Sequence, residues 1–110
     1  MGKSQREKGK TGEREIAALL RSMGFEDARR TAQYAGNTGE AADVIGLPGI
    51  HIEVKRQETT KLHEWIRQAE RDCGEKTPCV FHRRNREPWY CTLPLIDFLQ
   101  ILKGEQDDRT

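Results

Sequence analysis

The sequence has no apolar run approaching the length of a membrane span and no apolar stretch of the kind that forms the core of a signal peptide. Those absences exclude a spanning protein of the helical kind and lead to the expectation of a soluble, cytoplasmic chain. Cysteine is scarce and unpaired in spacing: Cys73, Cys79 and Cys91 fit no zinc pattern. Cys79 and His82 stand three residues apart, which on a strand turns them to opposite faces. Buried, reduced thiols are the expectation. Any sequence-reading signature, whether recognition helix or zinc finger, is also missing, so a nucleic-acid partner would be held by phosphate contacts and shape. Net charge is small as well, +1 over 110 residues. The end of the chain, with Glu105, Asp107, Asp108 and Arg109, carries −2 of it and leaves +3 on the rest. What is present is a chain of one domain's length, 34% charged and 35% hydrophobic.

Residues 1–10 hold Lys3, Arg6, Lys8 and Lys10 against Glu7 alone. Without apolar periodicity they read as a flexible basic arm, either touching phosphates or simply a disordered start. From Thr11, a suitable cap, Ile16, Leu19, Leu20 and Met23 recur at helical spacing, and Gly24 supplies a stop. Glu13 extends that apolar stripe, a place where a carboxylate needs a cationic partner. Glu15 falls on another side and is expected only to favour the helix dipole. Residues 25–31 suit an edge strand ending in Arg29 and Arg30, and residues 32–42 a flexible loop. Thr60 can cap a second helix with Leu62, Trp65, Ile66, Ala69 and Cys73 on one stripe, stopped by Gly74. Strands follow at 78–83 and 88–93. Pro94 then opens a third helix with Leu95, Phe98, Leu99 and Leu102 along one side. Ile96 and Ile101 lie off that stripe, as a subunit contact or as ordinary exposed residues. The predicted order is α-β-β-β-α-β-β-α, an α/β fold with a domain over 11–103 between the arm and a disordered acidic tail at 104–110.

The stretch from Asp43 to Lys55 organises the chemistry. It reads as two β-rich runs broken at Pro48-Gly49. In the second run His51, Glu53 and Lys55 face one way, and Ile50, Ile52 and Val54 face the core. A two-residue loop would put Asp43 across from Val54. A three-residue loop, Leu47 to Gly49 with positive φ at Gly49, puts it across from Glu53. Two carboxylates so placed repel unless a cation lies between them, and a few carboxylate oxygens plus water is the usual holding of Mg²⁺. Lys55 could then orient a water or steady a charged transition state. The plainer alternative is a solvated strand face with a Glu53–Lys55 ion pair.

These residues, taken together, resemble the PD-(D/E)XK nuclease superfamily, and within it the archaeal-type Holliday junction resolvases. The resemblance rests on Lys8-Gly9-x-x-x-Glu13-Arg14-Glu15, Gly24-Phe25, an arginine leaving the first strand, a glycine-containing loop, Asp43, and Glu53-x-Lys55, over roughly residues 8–92. It implies a restriction-endonuclease-like core with a central mixed sheet flanked by helices. It further implies that Asp43 and Glu53 are the principal metal ligands, Glu13 a helix-borne acidic ligand, and Lys55 the catalytic lysine. Arg29 or Arg30 would meet backbone phosphate, with Arg29 favoured by its distance from Phe25, and Arg14, Lys8 and Lys10 would add DNA contacts. Ala42 stands where proline is frequent, and Ala35, Asn37 and Thr38 where a serine is usual. The implied function is Mg²⁺-dependent cleavage, with Mn²⁺ as a substitute, of branched double-stranded DNA. A homodimer would resolve four-way junctions by paired phosphodiester hydrolysis. A nicking or flap-cutting nuclease, and an inactive DNA-binding module of the same fold, are the alternatives.

Overall fold

The computed structural model describes residues 2–31 and 42–108, with side chains from residue 8 to residue 104. Among the described residues three helices, α1 (Gly2–Ser22), α2 (Leu62–Asp72) and α3 (Leu95–Asp108), accompany five strands in the predicted order. The strands are β1 (Arg29–Arg30), β2 (Val44–Ile45), β3 (Ile50–Arg56), β4 (Thr77–Arg83) and β5 (Tyr90–Thr92). They form one mixed sheet in the order β1-β2-β3-β4-β5. Among the described strands only β3 and β4 pair in parallel, joined through the crossover helix α2 as parallel neighbours usually are.

Period-two alternation in β3 separates two cores. Ile52 and Val54 join Val44 and Ala28 beneath Ile16, Ala17 and Leu20 of α1. On the opposite face Trp65 and Ala69 of α2 cover Val80. Full burial of side chains such as Ile16, Ile52 and Val80 contributes about 1.5–3 kcal/mol each. The face under α2 is also the face of His51, Glu53 and Lys55, because Glu53 pairs directly with Val80.

The β2–β3 hairpin has the register that a three-residue loop requires. Val44 pairs with Ile52, the Ile50 amide donates to the Leu47 carbonyl at 3.1 Å, and Gly49 has φ +75°. Gly46 is the other constrained position. Its φ is +118°, and a Cβ there would lie 2.4 Å from the Ala28 Cα, so β1 reaches β2 only across a bare backbone.

Several expectations are corrected. Residues 2–10 are the first turns of α1, with Thr11 inside the helix. Lys, Gln, Arg and Glu all favour helix, and the packed segment from Gly12 onward supplies the nucleus that a charged run lacks. The strand expected over 25–31 is reduced to Arg29–Arg30, because Phe25 and Ala28 close a turn on the end of α1: Phe25 N–H donates to Leu20 O and Ala28 N–H to Phe25 O. The loop expected over 32–42 lies outside the described residues except for Ala42, and with it Ala35, Asn37 and Thr38. Lys61, not Thr60, holds the N-cap position of α2, and no side chain caps it. Helix α3 continues to Asp108 where a disordered tail was expected. Of the three free cysteines only Cys79 is buried; Cys73 is half-buried and Cys91 exposed. No described helix is long and apolar enough to cross a membrane.

The stripe of α3 is present but uncovered. Leu95, Ile96, Phe98, Leu99, Ile101 and Leu102 are all exposed, from 37% to 67%.

Candidate active site

The carboxyl end of β3 is where the polar residues gather, as sites in open α/β sheets do. Asp43 enters β2 with its amide donating to Ile52 O at 2.9 Å, while its Oδ2 accepts the Val54 amide at 2.8 Å. Those two bonds fix backbone and side chain together across from Glu53. The two carboxyl groups are close enough to share a hydrogen bond. Burial, then the charge of Glu53, pushes the Asp43 carboxyl up to about 7 against the opposing pull of the Val54 amide and Lys55. Glu53 is raised by burial too, with Asp43 and Lys55 pulling it down.

Glu53 is only 2% exposed, and its Oε1 lies 2.8 Å from Nε2 of His51, equally buried one pleat away. Lys55 donates from Nζ to Oε1 of Gln68 at 3.1 Å, so α2 steadies the lysine from above. The second core carries Gln68 into place between Trp65 and Ala69. Glu13 comes from α1. Its Oε1 accepts the Arg30 Nε–H at 2.9 Å, and its carboxyl is raised by burial, with Arg30 opposing and Asp43 adding to the rise. Lys8, Glu13, Asp43 and Lys55 all line one cleft of about 400 Å³.

The structure thus brings together Glu13, Asp43, Glu53 and Lys55, with Lys8 at the cleft. The two arginines at the end of β1 differ in their surroundings. Successive strand residues face opposite ways, and Arg30 is the one turned to Glu13, leaving Arg29 exposed. Lys10 and Arg14 are exposed on α1 and outside the lining of this cleft.

Glu15 requires a correction. Far from serving only the helix dipole, its Oε2 accepts from Arg83 Nη1 at 2.5 Å and Trp89 Nε1 at 3.1 Å, and its Oε1 lies 3.4 Å from Arg56 Nε. It ties α1 to β3, β4 and the segment before β5. His51 and Gln68 were also given no role by the sequence. The shared face of His51 and Glu53 was a usable signal for the first, whereas a glutamine flanking an apolar stripe announces nothing.

Among the described residues no three His, Cys, Asp or Glu side chains converge as a ready-made metal cage. Asp43 and Glu53 nevertheless suit a hard divalent ion. They present carboxylate oxygens whose mutual repulsion a cation would relieve, and Mg²⁺ commonly needs only one or two carboxylates besides water and phosphate.

No curated protein and no solved structure matches the chain. A family model does, over residues 4–108, and its description is "Phage putative PDDEXK endonuclease". That span takes in the whole sheet and the acid pair together with Lys55, and the mixed five-stranded sheet with three helices agrees with a restriction-endonuclease-like core. The chain belongs to this phage PD-(D/E)XK endonuclease family.

Proposed function

We propose that the protein is a Mg²⁺-dependent DNA endonuclease that hydrolyses phosphodiester bonds in branched DNA, four-way junctions foremost, as a homodimer. The observation that carries the reading is the pair Asp43 and Glu53, held across β2–β3 with Lys55 on the same face. Asp43 and Glu53 would hold the ion, Mg²⁺ or Mn²⁺, with Glu13 as a further ligand once it leaves Arg30. When bound, such an ion polarises a phosphate oxygen and lowers the pKa of a water. Lys55, anchored by Gln68, orients the attacking water with its ammonium and stabilises charge gathering on the phosphate oxygens. Arg30, once freed from Glu13, would meet the same phosphate, and Lys8, which lines the cleft, the next. His51 fixes the rotamer of Glu53.

Junction preference rests on the resemblance of the motif order to the resolvases. A flap-cutting or nicking activity is the second reading, favoured by a family description that names an endonuclease without a substrate. Synthetic four-way junctions, flaps and linear duplex, each incubated with Mg²⁺, Mn²⁺ or chelator, separate the two. Asp43→Asn and Glu53→Gln are expected to abolish cleavage and retain folding and DNA binding. Wild-type rates from both variants would end the assignment of this site.

A further inference from the structure

A second cleft, of about 500 Å³, opens on the α2 side of Lys55. Lys61, Arg67 and Arg71 of the α2 segment line it, and Glu64 is its one acid. Lys55 and Gln57 line both this cleft and the one holding Asp43, so the two adjoin along one trough that meets at Lys55.

The charges in the trough differ from the molecule's paired arginines, and among the described residues they differ from single unpaired cations such as Lys10, Arg14 and Arg29 in lining one cleft together. Arg30, Arg56, Arg83 and Arg84 each meet a carboxylate. Among the described residues, Lys61, Arg67 and Arg71 have no such partner, and all three are exposed. Unpaired like charges on one helix repel, mildly destabilising the free protein, and an anion laid along them relieves that. From Lys61 to Arg71 the helical rise covers about 15 Å, matching roughly four nucleotides of one strand at 3.4 Å each. Small anions would satisfy one charge at a time, whereas a chain of phosphates satisfies all three and is already required at Lys55.

We propose that Lys61, Arg67 and Arg71 form a phosphate track, along which the DNA strand that crosses the catalytic cleft at Lys55 continues over α2. This rests on the nuclease reading for its direction, since Lys55 is where strand and track meet. The track places bound DNA on the face of the sheet covered by α2, away from Arg29 and Arg14. Glu64, within it, weakens the grip at one point.

The test measures junction binding across a salt series in a Glu53→Gln background, where DNA is held uncut. Lys61→Ala/Arg67→Ala/Arg71→Ala should bind roughly tenfold or more weakly, with a log affinity against log salt slope shallower by about 0.9 per lost contact, up to about 2.7. Glu64→Gln should shift affinity the other way, severalfold tighter, which no folding defect would mimic. The charge-retaining Lys61→Arg/Arg67→Lys/Arg71→Lys should keep most of the slope. Unchanged slope and affinity in the alanine variant would overturn the track while wild-type cleavage left the nuclease reading standing. Conversely, a wild-type protein that binds but never cuts, with binding lost in the alanine variant, would sink the nuclease reading and keep the track. Absence of DNA binding by wild type would end both.

Discussion

Asp43 is the residue on which fold and function pull in opposite directions. Its folded carboxyl, pushed up to about 7, lies above its ordinary 3.8, so folding favours the protonated form. Stability of the metal-free protein should therefore be full below pH 4, fall as pH rises toward 7, and stay level above. The loss from Asp43 is on the order of 4 kcal/mol. Asp43→Asn should make that stretch of the pH profile shallower, leaving the smaller fall from Glu13 and Glu53, and melt higher than wild type at pH 8 in chelator, a comparison that scanning calorimetry makes directly. A wild-type profile rising between pH 4 and 7 would contradict it. Glu13 and Glu15 make a second test. Glu13→Gln trades a half-buried ion pair against relief beside Asp43, so stability should stay within about 1 kcal/mol while cleavage falls sharply. Glu15→Ala should cost about 2–3 kcal/mol by stranding Arg83 and the Trp89 indole, and should alter cleavage only through folding. Denaturant melts and single-turnover cleavage of both variants decide it. Asp43, Glu53 and Lys55 were legible because a hairpin turns sequence distance into position by parity alone. Glu15 was not, since its partners lie 68 and 74 residues away, where no local pattern reaches.

At the scale of elements, what could be read tracked length. Strand β3 and helix α2 have enough residues to display a period, and both appear where the pattern put them. Strands β1 and β2 have two residues each, too few for any alternation, and exist because β3 offers hydrogen bonds for β2 and β2 for β1. Gly46 shows how narrow that arrangement is. Gly46→Ala adds a Cβ at positive φ against the Ala28 backbone, and should lower stability by about 3 kcal/mol or more. Loss of the β1–β2 pairing should carry Arg30 away from Glu13, so cleavage should fall with it. A melt within 1 °C of wild type would refute the packing described at this turn. The extension of α1 to Gly2 converts the expected arm into a stiff projection, which brings Lys8 to a fixed place in the cleft.

Across the whole molecule the most apolar helix is the least buried. Helix α3 makes only slight contact with the other described elements, and its six large apolar side chains face outward. A lone helix of this length is marginal in water, and its exposed apolar surface, on the order of 500 Å², approaches the roughly 800 Å² per partner of a stable interface. A second copy is the expected occupant. Sedimentation should find a dimer at micromolar concentration, Ile96→Asp/Leu99→Asp should be monomeric, and a monomeric wild type would refute the assignment. The sheet itself is lopsided: seven residue pairs join β3 to β4, while β2 is held to β3 by one pair and the edge strand β1 to β2 by two, making that side the weak rim. Opening by local fluctuation should thus begin at the rim, where amide exchange would be fastest, and leave β3–β4 as the last unit to come apart. Glu53 and Lys55 belong to that durable unit and Asp43 to the fraying one. The site therefore assembles only when the rim is closed, so a captured cation would act as a clasp, slowing exchange at Val44 and Val54 while barely changing it along β4.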